Sequence, residues 1–221
     1  MLSLPLPRDA GEPLRVLCLG AHADDIEIGC GGTVLALAEA HPGTRFHWVV
    51  LSAEGARAAE AAASADDFLA KAGERRVVLE RFRDGFFPWQ GSALKERFER
   101  LKGEVAPHLV LTHTRRDLHQ DHRLVGELTW QTFRDHWILE YEIPKVDGDL
   151  GAPNCFVPLP AEVAERKVAL LVRHFASQRS RDWFTPDTFR SLMRLRGVEA
   201  RSASGLAEAF YAAKLALRVA P

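Results

Sequence analysis

The stretch "RVLCLGAHADDIEIGCGG", Arg15 to Gly32, turns an apolar run into a histidine, two adjacent aspartates and a group of glycines. Its opening six residues, Arg15 to Gly20, read as a short buried strand, and the run from Gly32 to His41 reads as a helix with Val34 and Leu37 on one face. A strand followed at once by a helix is the start of a crossover unit, so the next question is whether the unit repeats.

It does. "RFHWVVLS" (Arg45 to Ser52) is a second strand, the alanine-rich run Arg57 to Gly73 a second helix closed by a glycine, and "RRVVLERF" (Arg75 to Phe82) a third strand. Leu94, Phe98, Leu101 and Val105 fall at i, i+4, i+7 and i+11, predicting a helix that Pro107 stops before the strand "HLVLTH" (His108 to His113). Asp121 to Asp135 reads as a helix and Trp137 to Pro144 as a further strand. Three consecutive units of this kind predict an α/β fold, a mainly parallel sheet flanked by helices on both faces. Beyond Pro144 the pattern becomes irregular. A loop rich in proline and glycine (Pro144 to Asn154) leads to a short strand, Cys155 to Leu159, and an amphipathic helix from Ala161 to about Gln178. In Glu208 to Val219 the alternation of Tyr211, Ala213, Leu215, Leu217 and Val219 favours a strand over a helix.

Composition bounds the function. A chain of 221 residues with 47% hydrophobic content can bury a core as one domain spanning residues 1–221. With 29 basic and 30 acidic residues, the net charge of −1 offers no field for nucleic acid or an anionic membrane. Small molecules and a second copy of the chain, as a homo-oligomer, are the expected partners. No run approaches the roughly 20 apolar residues of a membrane span, and Met1 to Pro13 has no basic segment ahead of an apolar one, so a cytoplasmic location is expected. Three widely spaced cysteines, Cys18, Cys30 and Cys155, fit neither a disulfide framework nor a metal knuckle and are expected as free thiols.

In open α/β sheets ligands bind beyond the carboxyl ends of the strands. Two polar clusters follow such ends: His22, Asp24 and Asp25 after the first strand, and "HTRRDLHQDH" (His113 to His122) after the fourth. His119 and His122, three apart at the start of a helix, share one side. Imidazole and carboxylate suit a borderline divalent metal, and a catalytic zinc site keeps three such ligands with one position open for water. His22, Asp25 and His122 supply such a set. Asp24 is then placed as a base, and His119, oriented by Asp121, as an oxyanion stabiliser. Each cluster alone is compatible with a helix cap or a solvated turn; it is their coincidence at two strand ends that points to one site. His113 reads as structural. A dinucleotide loop at Gly29 to Gly32 is disfavoured, because the G-x-G-x-x-G spacing is absent and Asp24 and Asp25 repel a pyrophosphate.

"AHADD" followed by "GCGG", with "DLHQDH" downstream, resembles the LmbE-like family, also called the PIG-L family of N-acetylglucosaminyl deacetylases. "RAAE", "EIPKVDGDLGAPN" and the pair Ser177–Gln178 extend the similarity over most of the chain. The resemblance implies a Rossmann-like fold and zinc-dependent removal of acetyl from an N-acetylglucosamine-type sugar in a conjugate, such as a sugar-lipid, a glycoside or a nucleotide sugar. It implies His22, Asp25 and His122 as metal ligands, Asp24 as general base, and His119 with Asp121 in support. Three positions depart from the family pattern. Ala23 stands for the usual proline, Ile26 for a glutamate that here comes one residue later as Glu27, and Asp117 for a tyrosine of some relatives. Arg57 and Asp84, beyond the second and third strands, and Lys145, Asp147, Asp149 and Asn154 in the long loop are candidates for the substrate rim, with Trp89, Trp183 and Phe184 as stacking candidates. Two other classes compete: a hydratase adding activated water to the alkene of an unsaturated acid with the same ligands, and a noncatalytic metal- or nucleotide-binding module. The ligand types admit zinc or another divalent ion such as Fe2+.

Overall fold

The computed structural model describes residues 3–6 and 11–216. In chain order the elements are β1 (Arg15–His22), α1 (Asp25–Ala40), β2 (Arg45–Ser52), α2 (Ala56–Phe68), β3 (Glu74–Leu79), α3 (Gly91–Glu104), β4 (Leu109–His113), α4 (Gln120–Thr132), β5 (Trp137–Tyr141), β6 (Cys155–Pro158), α5 (Ala161–His174), α6 (Pro186–Glu199) and β7 (Ala207–Tyr211). The strands form one sheet in the order β3-β2-β1-β4-β5-β7-β6. The first five are parallel, while β7 runs antiparallel to both β5 and β6. This is the α/β arrangement expected, with its irregular part confined to the antiparallel edge.

Central strands are apolar on both faces because both are covered. Val16 and Cys18 of β1 face a core built with α1, α2, α5 and α6, while Leu17, Leu19 and Ala21 face α3 and α4. Sequential progression from β1 outward to β3, then back across to β4, makes the gap between β1 and β4 the point where strand order reverses. Side chains at the carboxyl ends of these two strands therefore share a crevice.

The glycines of "GCGG" serve packing and an internal cap. At Cys30 the backbone leaves helical geometry (φ −145°, ψ 15°), so α1 is two helical pieces joined by a kink. The second piece opens with the N–H groups of Gly32 and Thr33, which donate to the Glu208 carboxylate of β7 at 2.8 and 2.7 Å, joined by the Thr33 hydroxyl at 2.6 Å. Lys167 of α5 neutralises that carboxylate at 2.5 Å and also donates to the Ile28 carbonyl at 2.6 Å. An internal carboxylate thus caps the start of the second helical piece. A Cβ at Gly29 would stand 2.2 Å from the Tyr141 ring, and one at Gly31 2.6 Å from Phe68. Glu208→Ala is expected to destabilise the protein by about 3–5 kcal/mol, since it strands a buried lysine and two amides; an unchanged urea midpoint would refute this.

Several boundaries differ from the sequence reading. Helix α1 starts at Asp25 rather than at Gly32, because the glycine positions are tolerated once they pack against rings. Helix α5 ends at His174, and Ala176–Gln178 forms a separate 3-10 turn. Helix α6 lies in a stretch to which the sequence reading assigns no element: Leu195 and Val198 face solvent while Arg196 is buried, which blurs its apolar period. Its start is marked all the same by Thr185, whose hydroxyl accepts the Thr188 N–H, and by Pro186 in the first turn. The expected terminal strand ends at Tyr211; residues 212–216 are irregular, and Leu217 and Val219 lie outside the described residues. The cysteines are free, Cys18 and Cys30 buried and Cys155 partly so.

Candidate active site

His22 is the last residue of β1 and Asp25 the first of α1, and the turn between them is closed by the His22 N–H donating to Asp25 Oδ2 at 2.6 Å. Asp24 occupies the N-cap position without capping the helix through its side chain. Its carboxylate instead accepts from Arg57 Nη2 at 2.6 Å. From the other side, His119 is the N-cap of α4, its Nδ1 accepting the Asp121 N–H at 3.3 Å, and His122 lies in the first turn.

Across the crevice two ring nitrogens and both oxygens of one carboxylate converge. His22 Nδ1 is 3.1 Å from His122 Nε2 and 3.3 Å from Asp25 Oδ2, and His122 Nε2 is 3.4 Å from Asp25 Oδ1. Both imidazoles have their far nitrogens against carboxylates: His122 Nδ1 lies 2.9 Å from Asp117 Oδ2, and His22 Nε2 lies 3.0 Å from Asp84 Oδ1 and 3.3 Å from Asp121 Oδ2. Asp117 takes the ring proton of the neutral His122, which leaves the His122 Nε2 lone pair facing His22 Nδ1 and the Asp25 carboxylate. A proton or a cation between them relieves the conflict. The spacing suits a cation: tetrahedral ligands at zinc's bond lengths of about 2.0–2.2 Å stand roughly 3.3 Å apart. Ring nitrogens of His119 with His22 and His122, or of His113 and His122 with an Asp25 oxygen, also gather within 4.8 Å.

Charge follows the same geometry. Burial lowers His122 to about 4, against the pull of Asp25 and Asp117, so it is a neutral donor at neutral pH. His22 is also buried, but Asp25, Asp121 and Asp84 hold it well above the usual imidazole range. Asp25 stays well below the usual carboxylate range, since His122, His113 and His22 outweigh its burial. Asp24 moves the other way: burial raises it although Arg57 opposes. The two adjacent aspartates thus differ in environment, one among imidazoles and one beside a guanidinium.

Some expectations need correction. The Asp121 carboxylate does not orient the His119 ring. It accepts the N–H groups of Gly85 at 2.7 Å and Phe87 at 3.1 Å and faces His22. His119 is instead fixed by the N-cap bond to its Nδ1, which leaves Nε2 as the donor of the neutral ring. Lys145 Nζ is held by Asp117 at 3.0 Å and Asp149 at 2.5 Å, so it braces the site from behind Asp117. Asn154 turns its side-chain amide to the Ala212 backbone, donating at 3.2 Å and accepting at 2.8 Å, and its role is to pin the chain after β7. Phe184 is buried against Phe175, Phe189 and Trp183, whereas Trp89 is exposed. Arg57 reaches the crevice through Asp24, and Asp84 through His22.

Two contributors escaped the sequence reading. Asp117 was a departure from a tyrosine pattern; in the fold it is the partner of His122 Nδ1. His113, expected to be purely structural, is fully buried with Nε2 3.1 Å from Asp25 Oδ2 and its ring stacked 4.0 Å from that of His122. The only signal in the sequence was its place at the very end of β4. Partners of ligating groups typically contribute 10- to 100-fold to metal affinity. Asp117→Asn and His113→Phe are each expected to weaken metal binding by about that factor, read by competition with a chelator; unaltered affinity in both would show that these contacts carry no positioning role.

Fold and site together define an α/β protein with a histidine–carboxylate centre at the switch point of a largely parallel sheet. The chain belongs to the PIG-L family, described as GlcNAc-PI de-N-acetylase, whose profile matches residues 17–133. No curated protein matches it. Among solved structures, it resembles the 4-carboxy-2-hydroxymuconate hydratase GalB of Pseudomonas putida KT2440 (20% identity, TM-score 0.74, 94% of this chain and 99% of that one). It also resembles the N,N'-diacetylchitobiose deacetylase of Pyrococcus horikoshii (19%, 0.64, 89% and 82%). A third is the A40926 pseudoaglycone deacetylase Dbv21 (17%, 0.69, 91% and 97%). Among the described residues, no helix is long and apolar enough to cross a membrane.

Proposed function

We propose that the protein is a divalent-metal-dependent N-deacetylase acting on an N-acetylglucosamine-type sugar in a conjugate, with His22, Asp25 and His122 as the metal ligands. The observation that carries this reading is the convergence of His22 Nδ1, His122 Nε2 and the two oxygens of Asp25 at 3.1, 3.3 and 3.4 Å, with a separately housed carboxylate, Asp24, beside it. Family membership supplies the reaction class. A zinc or similar ion bound there supplies a Lewis acid for the acetyl carbonyl and a water acidic enough to react at neutral pH.

The chain's own groups do the rest. Asp24, buried and set beside Arg57, takes a proton from the attacking water as its oxygen bonds to the carbonyl carbon. His119 Nε2 donates to the oxygen that becomes negative as the carbonyl turns tetrahedral. Asp24 then returns the proton to the sugar nitrogen as the C–N bond breaks, so one water and one amide give acetate and a primary amine. Arg57 keeps Asp24 oriented through both transfers.

The test is stoichiometry. Metal-replete protein is expected to release acetate and amine in equal amounts from N-acetylglucosamine conjugates, and metal-stripped protein neither. The runner-up reaction, hydration, leaves a different trace: loss of a conjugated alkene's absorbance with no amine. A panel of conjugates yielding no amine, alongside hydration of an unsaturated acid, would replace the deacetylase reading.

A further inference from the structure

Two groups assigned to the reaction, His119 and His122, depend on one carboxylate. Asp117 Oδ1 accepts the His119 N–H at 2.8 Å, and Asp117 Oδ2 lies 2.9 Å from His122 Nδ1. The Asp117 side chain is 1% exposed, and a carboxylate so far removed from water needs a cation beside it. That cation comes from a different segment. Lys145 Nζ lies 3.0 Å from Asp117 Oδ1, and its side chain is 8% exposed although it stands at the start of the loop between β5 and β6.

Lys145 is anchored in turn. Asp149 Oδ2 accepts from Lys145 Nζ at 2.5 Å and from the Leu118 N–H at 2.8 Å, and Asp147, more exposed, stands 3.7 Å from the same ammonium. The bonds close a circuit: Leu118 is tied to Asp149, Asp149 to Lys145, Lys145 to Asp117, and Asp117 to His119, the residue after Leu118. Three successive residues at the entry to α4 are thus held by side chains of another loop. By its place in the sequence Lys145 is a candidate for the substrate rim, but its ammonium is already occupied by two buried carboxylates.

We propose that Lys145 and Asp149 are positioning residues of the metal centre: acting through Asp117, they fix the place of His119 and the aim of His122 Nε2, and they do not bind substrate. This rests on the ligand role of His122 proposed above, so zinc alone is the first probe. Lys145→Met keeps the length of the side chain and leaves Asp117 and Asp149 as buried carboxylates without their ammonium. Its zinc affinity, read by competition with a chelator, is expected to fall about tenfold, the lower end of the range for groups that orient a ligand. At saturating Co2+ its visible absorption is expected to shift from that of the wild type, as the His122 ring tilts. For acetate release from an N-acetylglucosamine conjugate, kcat is expected to fall by about the same factor with KM unchanged, the mark of an interaction made in the transition state. Lys145→Arg, which restores the charge, is expected to recover zinc affinity. Asp149→Asn still offers an oxygen to the Leu118 N–H but holds the ammonium less firmly; a smaller loss in the same quantities is expected, and this variant decides the matter if Lys145→Met does not fold. A raised KM with unchanged zinc affinity would make Lys145 a substrate contact and overturn the assignment. So would a lowered urea midpoint with zinc affinity, Co2+ spectrum and kcat all unchanged, since the circuit would then serve stability alone. Wild-type protein that binds zinc yet releases no acetate would end the hydrolytic reading while the zinc ratio still decides the positioning role; wild-type protein that binds no zinc would remove the ligand set and this assignment with it.

Discussion

Asp24→Asn is expected to retain its metal and lose turnover by about 10²-fold or more, the usual scale for a positioned acid–base group. The substitution is nearly isosteric, and the amide oxygen can still accept from Arg57 Nη2, so the pair that orients the side chain survives. What disappears is the ability to hold a proton between the attack of water and the departure of the amine. Metal analysis and steady-state rates on the same preparation check this. Loss of metal in step with activity would make Asp24 a ligand and reverse the division between the two aspartates.

Alanine at His22, Asp25 or His122 is expected to have the largest effect on the metal itself, abolishing stoichiometric binding and with it activity, while an α/β circular dichroism spectrum persists. Each removal breaks the triangle and leaves two donors, which a small ion holds poorly. The effect should exceed the 10- to 100-fold change expected for Asp117 or His113, because those act on the orientation of a ligand that is still present. Full metal content after dialysis in all three variants would sink the ligand assignment; full content in one alone would point to His119 or His113 as its substitute.

Much of this was legible in the chain because the signals were local. A buried strand ending in His-x-Asp-Asp, and a second ending in a histidine-rich turn, place polar groups at strand ends whatever the details of packing. Alternation of strands and helices through residue 141 fixed the parallel part of the sheet for the same reason. What stayed hidden depends on contacts between distant segments. Asp117, Asp121 and His113 carry no local mark of whether they face a ring, an amide or a carboxylate; the partners of Asp121 are backbone groups 34 and 36 residues away. Asn154 looked like a loop residue because the backbone it grips lies 58 positions on. Helix α6 was obscured by a buried arginine, Arg196, whose guanidinium meets Glu142 at 2.6 and 2.9 Å, so that a polar residue holds a core position.

The carboxylate of Glu208 that closes the kinked α1 comes from 176 positions downstream. During synthesis the segment bearing Asp24 and Asp25 precedes β7, so the amides of Gly32 and Thr33 have no Glu208 carboxylate to meet until β7 has emerged. Lys167, made in between, waits for the same partner. Such a long-range closure is slow to find and late to form. Emergence of β7, rather than of the "AHADD" segment, is therefore the moment at which α1 acquires its closed form beside the crevice, and a nascent chain stalled before Ala207 carries every proposed ligand without that support.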